Sequence, residues 1–153
     1  MSSAWKRLYR WLTRTERVSS GLEDLPRGSP PLRQAKLYGD NCGELNFDWD
    51  GPHEVLAKVR EELAELLEAI ESEHHENIEE ELGDLLFSIS QLARKLGVDP
   101  ERALRLTNEK FARRFRRIEA KYGYERDALT ARTTVQLISD WEEVKRDERS
   151  SPS

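Results

Sequence analysis

At 153 residues the chain has room for one domain with a real core and little room for two. Charged residues make up 36% and hydrophobic residues 37%, and the formal net charge of −5 argues against a general nucleic-acid binder, for which a basic excess is usual. No apolar run reaches the roughly 18 residues of a membrane span and the start lacks a secretory apolar core; with one cysteine, Cys42, unable to staple a fold, a reducing, cytoplasmic setting is expected.

Residues 1–20, MSSAWKRLYRWLTRTERVSS, set Trp5, Leu8, Trp11 and Leu12 among Lys6, Arg7, Arg10, Arg14 and Arg17. This is a basic amphipathic arm suited to an anionic surface or a partner. Its few acids also fit an organellar transit peptide, and the plainer reading is an appended helix or partly ordered arm. The Pro- and Gly-rich stretch at 21–32 reads as a linker opening a domain that extends over 21–149. A short helix is expected after Pro31 through Gln34, Ala35 and Leu37, with Gly39 and Gly43 weakening its continuation. LNFDWDGP then reads as a loop with aromatic anchors, Trp49 among them.

Three longer helices follow. The first begins near Pro52, a residue favoured at the first helical position, and runs to about Ser72. The second starts at Asn77, with Glu80 three residues on as in a capping box, and ends at Gly97. The third opens with Asp99-Pro100 and extends to about Lys121. SEHHEN is too short a connection for anything but an antiparallel hairpin of the first two. TVQLISDWEEVKRDER predicts a further helix, and residues 150–153 a disordered tail. Period-two alternation is missing, so the expected fold class is all-α.

The acids come in two packets, Glu61-Glu62-x-x-Glu65 and Glu81-x-x-Asp84. Against an apolar stripe of Leu56, Val59, Leu63, Leu66 and Ile70, an advance of about 100° per residue puts Lys58, Glu62 and Glu65 on one flank and Glu61 nearer solvent. On the next helix the stripe is Ile78, Leu82, Leu85, Ile89, Leu92 and Leu96, flanked by Glu81 and Asp84 one turn apart. A hairpin can face the two flanks, and four converging carboxylates repel one another unless a cation offsets them. Oxygen donors without thiolates or a regular histidine set suit Mg²⁺, with Mn²⁺ as substitute. In a chain with 30 acidic residues the rival is a solvated face, and the first packet alone would not displace it.

Phe87 lies opposite the second stripe, which suggests a dimer contact or an extra helix there. On the third helix Asn108 falls inside the stripe of Leu104, Phe111, Phe115 and Ile118, where a buried amide would need partners. Lys110 and Arg114 share the flank of that stripe and could meet phosphate oxygens, although KFARRFRR could equally be a solvated basic face.

NFDW, KVREELAEL, EEELGDLLFSISQLARKLGVDPERAL, NEKFARRF and WEEVK, in that order, resemble the MazG nucleoside triphosphate pyrophosphohydrolases over roughly residues 21 to 149. The resemblance implies an all-α unit that forms a homodimer, its two hairpins making a four-helix bundle. It implies Mg²⁺-dependent hydrolysis of nucleoside triphosphates to monophosphate and pyrophosphate, a nucleotide-pool house-cleaning activity. Position by position, it assigns the metal to Glu62, Glu65, Glu81 and Asp84, and catalysis to Glu61, Glu62 and Glu65, with Glu61 supporting the site or positioning water. Asn108, Lys110 and Arg114 match the phosphate-facing strip, Lys58 is a further candidate for substrate, and Trp141 matches a late Trp that can stack on a base or anchor the fold. Some relatives carry two such units in tandem, whereas this sequence shows one.

Two rivals stand beside this reading. A non-catalytic helical dimerisation or regulatory module would keep the scaffold without turnover. A di-iron carboxylate bundle wants Glu-x-x-His on two helices, and the one match here is Glu71 to His74 at a loop edge. The base and sugar preference, the phosphorus attacked and the general base are left open by the motifs.

Overall fold

The computed structural model describes Leu22, residues 28–72 and residues 75–150. The basic arm at 1–20, most of the linker, His74 and the tail at 151–153 lie outside the described residues. Six helices form among those described: α1 (Pro31–Glu44), α2 (Pro52–Glu71), α3 (His75–Lys95), α4 (Pro100–Lys121), α5 (Arg126–Thr130) and α6 (Thr134–Ser150). Helices are the only regular structure among the described residues, as the periodicity predicts, and none of these helices is long and apolar enough to cross a membrane. It divides into two compact units, with the boundary between Glu101 and Arg102.

In the first unit α2 and α3 form the expected hairpin, and α1 packs along α3. Pro52 opens α2 with Gly51 extended before it. α3 starts at His75, so Asn77 is inside the helix and not its cap. Its other end follows the sequence: Gly97 adopts φ +69°, and the Val98 amide reaches back to the Ala93 carbonyl at 2.8 Å. That left-handed residue with its reach-back bond is a stop glycine accommodates without strain.

The helix α1 runs unbroken through Gly39 and Gly43, against the expectation that they would weaken it. The reason at Gly39 is close packing: a Cβ there would lie 1.9 Å from Gln91 Oε1 and 2.5 Å from Arg94 Nε. The helix backbones approach until the polar side chains of α3 cap carbonyls of α1. Ser90 Oγ donates to the Leu32 carbonyl at 2.7 Å, and Gln91 Nε2 to that of Ala35 at 2.5 Å. Ser90 and Gln91 are fully buried and fully satisfied, as buried polar groups must be to avoid a desolvation cost.

The buried stripes are not the ones that apolarity alone selects. On α2 the buried line is Val55, Glu62 and Ala69, at seven-residue spacing, while Leu63 and Ile70 are about half exposed. On α3 it is Ser88, Ser90 and Gln91, while Leu82, Ile89 and Leu96 are exposed. Packing α1 onto α3 turns the hairpin away from its most apolar line, which is left uncovered. Phe87, 39% exposed, lines a groove with Pro31, Leu32 and Tyr38 of α1, so an extra helix does border its side of α3.

In the second unit Ile118 and Val144 are the buried apolar residues. Phe111 stacks on Phe115 with centroids 6.1 Å apart, and Trp141 of α6 lies 5.1 Å from Phe111. The short α5, five residues long, is too brief for a period to predict.

Candidate metal and phosphate residues

Seven-residue spacing carries Glu62 into the buried line of α2, and that placement makes the site. Its carboxylate is 5% exposed by residue, and it meets Glu81 and Asp84 of α3, with one oxygen of each within 4.8 Å of the others. Glu81 and Asp84, one turn apart, present both carboxylates to one point on α2. Glu65 stands beside this group. Desolvation first, and then its hydrogen bond with Glu62, push its carboxyl above the ordinary range. Like charges drawn together favour the protonated form of one of them, or a cation that offsets both.

The donor set fits a hard divalent cation: carboxylate oxygens from two helices, one buried, with neither thiolate nor imidazole in the group. Glu61 is exposed, on the solvent side that its helical position predicts. Lys58 reaches both acids that follow it, with Nζ 2.8 Å from Glu61 Oε1 and 2.6 Å from Glu62 Oε1. Glu61 foremost, with Glu62, raises the ammonium pKa above its ordinary value. Lys58, Glu61, Glu62, Glu65, Glu81 and Asp84 are thus brought together in the first unit.

The remaining candidates, Asn108, Lys110, Arg114 and Trp141, belong to the second unit. Asn108 is exposed, not the buried amide that its stripe position suggests, because Leu104, Phe111 and Phe115 of that stripe are themselves exposed. Lys110 is exposed. Arg114 is half-buried, with Nε 2.8 Å from Glu148 Oε2 and its guanidinium 5.7 Å above the Trp141 ring. Arg113 takes the other Glu148 oxygen at 3.3 Å. Arg114 first, with Arg113, holds the Glu148 carboxyl below its usual range. Two guanidinium groups sharing a two-oxygen anion is an arrangement that also suits phosphate.

Three features escape sequence reasoning because their partners are far apart in the chain. Asp48 of the NFDW loop is clamped by Arg94 and Lys95, whose Nζ is 2.6 Å away, and Arg94 foremost keeps its carboxyl well below the ordinary range. The clamp holds a loop in which Asn46, Phe47, Trp49 and Asp50, with Glu54 of α2, line a cleft of about 440 Å³. Phe47 is 80% exposed there, so it does not anchor the loop as expected. In the second unit Asp140, nearly buried, accepts from Lys121 Nζ at 2.7 Å and from the Tyr122 hydroxyl at 2.6 Å. Glu148 is the third, bonded to residues 34 and 35 positions away.

Comparison with known proteins agrees with the motif reading. Residues 50–118 match the MazG nucleotide pyrophosphohydrolase domain, a span that holds Lys58 and the five acids of the two packets and reaches Arg114. The chain is 40% identical over 134 residues to the nucleoside triphosphate pyrophosphohydrolase of Escherichia coli (strain K12), covering 84% of this chain and 50% of that protein. It is 38% identical over 130 residues to the nucleoside triphosphate pyrophosphohydrolase/pyrophosphatase MazG of Thermotoga maritima, covering 85% and 50%. The chain thus spans about half the length of the curated relatives it matches. With the two acidic packets, their convergence on one point and the matched domain in agreement, the chain carries a MazG nucleotide pyrophosphohydrolase domain over residues 50–118.

Proposed function

We propose that the chain is a hydrolase that splits nucleoside triphosphates into monophosphate and pyrophosphate with Mg²⁺, or Mn²⁺ in its place. The observation that carries this reading is the convergence of Glu62, Glu81 and Asp84 within 4.8 Å on two helices, inside the matched domain. Glu62, Glu65, Glu81 and Asp84 would hold the divalent ion. When bound, such an ion offsets triphosphate charge and lowers the pKa of water.

The chain's own residues do the rest. Glu61, exposed beside the buried Glu62, accepts a proton from water or orients it. Lys110 and Arg114 stabilise charge on the departing pyrophosphate, Arg114 through its planar fork. Trp141 stacks on the base, a role compatible with its place over Arg114 and beside Phe111. Asn108, on the same helix and exposed, is free to bond substrate oxygens.

The active form in this reading is a homodimer, its two hairpins making a four-helix bundle. Support comes from the apolar side chains that α2 and α3 leave uncovered: Leu63, Leu67 and Ile70 with Leu82, Leu86 and Ile89, each between 42% and 52% exposed. Two lines of half-exposed leucine and isoleucine on adjacent helices are what a second hairpin would cover. In this reading the domain extends over 21–149, with the basic arm before it.

Product analysis by phosphorus NMR tests the reading. A panel of ribo- and deoxynucleoside triphosphates with Mg²⁺ should give monophosphate and pyrophosphate and rank the substrates. Diphosphate with inorganic phosphate as products would reject it. A folded chain that turned over none of the panel would favour the non-catalytic dimerisation module.

A further inference from the structure

The acidic group carries one sign of charge, and Lys58 meets it from one turn earlier on α2. A bridge between residues three or four apart is ordinary on a helix surface, and there it contributes little. This one differs in its acceptor. The Glu62 side chain is 6% exposed, against 62% and 57% for Arg105 and Glu109 in a bridge of the same spacing on α4. The same Glu62 carboxylate also supplies an oxygen to the group with Glu81 and Asp84. The ammonium therefore holds a carboxylate that the cation site needs, at 2.6 Å.

We propose that Lys58 is a built-in counter-cation of the metal site. It holds the Glu62 carboxylate in place, and it lowers the affinity of the site for a free divalent ion. The inference rests on the reading of the acidic group as a metal site. A fixed positive charge a few ångströms from a dication opposes its binding, and Coulomb's law near water's dielectric constant puts the effect at about tenfold or more. A site weakened in this way would hold an ion more firmly with triphosphate oxygens added to its carboxylates, and less firmly once pyrophosphate has left. Lys58 thereby couples metal occupancy to nucleotide occupancy.

The test titrates the full chain with Mn²⁺ alone, by calorimetry and by the loss of free Mn²⁺ signal in electron paramagnetic resonance. Lys58→Met keeps the length and helix propensity of the side chain and removes the charge; Lys58→Arg keeps the charge. The expected result is Mn²⁺ binding about tenfold tighter in Lys58→Met and within about threefold of the natural chain in Lys58→Arg. Melting without metal should fall in Lys58→Met and recover on adding Mn²⁺, which also shows that the variant is folded. Equal or weaker Mn²⁺ binding by folded Lys58→Met, while the natural chain binds, overturns the counter-cation role and leaves the metal site standing. Failure of both to take up Mn²⁺ overturns the metal site and this inference with it.

Discussion

The α2–α3 hairpin and the seam between α4 and α6 both gather acids, and they settle the charge in opposite ways. In the seam the acids have bases opposite: Asp140 and Glu143 take Lys121, Asp147 takes Arg117, and Glu148 takes Arg113 and Arg114. In the hairpin Glu62, Glu81 and Asp84 are pressed together, and the lysine that meets Glu62 is shared with Glu61. The seam has the arrangement expected of stabilising pairs. The hairpin has an arrangement that works against folding, and such arrangements persist where they serve a site.

The sharpest way to break this comparison is to neutralise one acid in each region. Asp84→Asn is expected to lower pyrophosphate release by about a hundredfold or more, and Glu65→Gln likewise, since each removes a charged oxygen donor. The same Asp84→Asn should leave the melting temperature unchanged or raise it by roughly 1–3 °C, because it relieves repulsion. Activity assay and calorimetry on one preparation check both halves.

Gly39→Ala tests the packing that orients α3. The added Cβ meets the buried Gln91 side chain, itself tied to Ala35 and Arg94, so neither side can yield. A loss of about 2–3 kcal/mol is expected, read from urea unfolding.

Asp140→Asn should cost less, about 1–2 kcal/mol, because Lys121 is half exposed and screened by water. Lys121 first, and then Tyr122, lower the Asp140 pKa in the folded chain. Its contribution is therefore present at pH values above the unfolded-state pKa and is lost as pH falls through the lower folded value. Melting of the natural chain and of Asp140→Asn should converge in acid. The smallest effect belongs to Arg105 and Glu109, both more than half exposed. Replacing either by Gln should move stability by less than about 0.5 kcal/mol.

What the sequence discloses and what it hides follow from the range of each interaction. Pro52, Asp99-Pro100 and Gly97 mark helix ends because capping and stopping are local events. The two acidic packets are legible because the spacing that joins them lies within single helices. The buried line of α2 is not legible, since Leu63 and Ile70 are more apolar than the Glu62 that is buried in their stead. That choice depends on α1 docking through Gly39 and Gln91, a contact between residues far apart in the chain. Asp140 and Glu148 are hidden for the same reason: nothing near them announces partners 19 and 34 residues away. Asn108 shows the converse error, a stripe position that the fold does not bury.

The most direct measurement of the central claim is pyrophosphate release from a nucleoside triphosphate by one preparation taken through three steps: with Mg²⁺, after chelation by EDTA, and after Mg²⁺ in excess of the chelator. The account predicts release that stops on chelation and returns on restoration, with Asp84→Asn inactive throughout although folded. Release that continues undiminished in EDTA, or in Asp84→Asn, would contradict it.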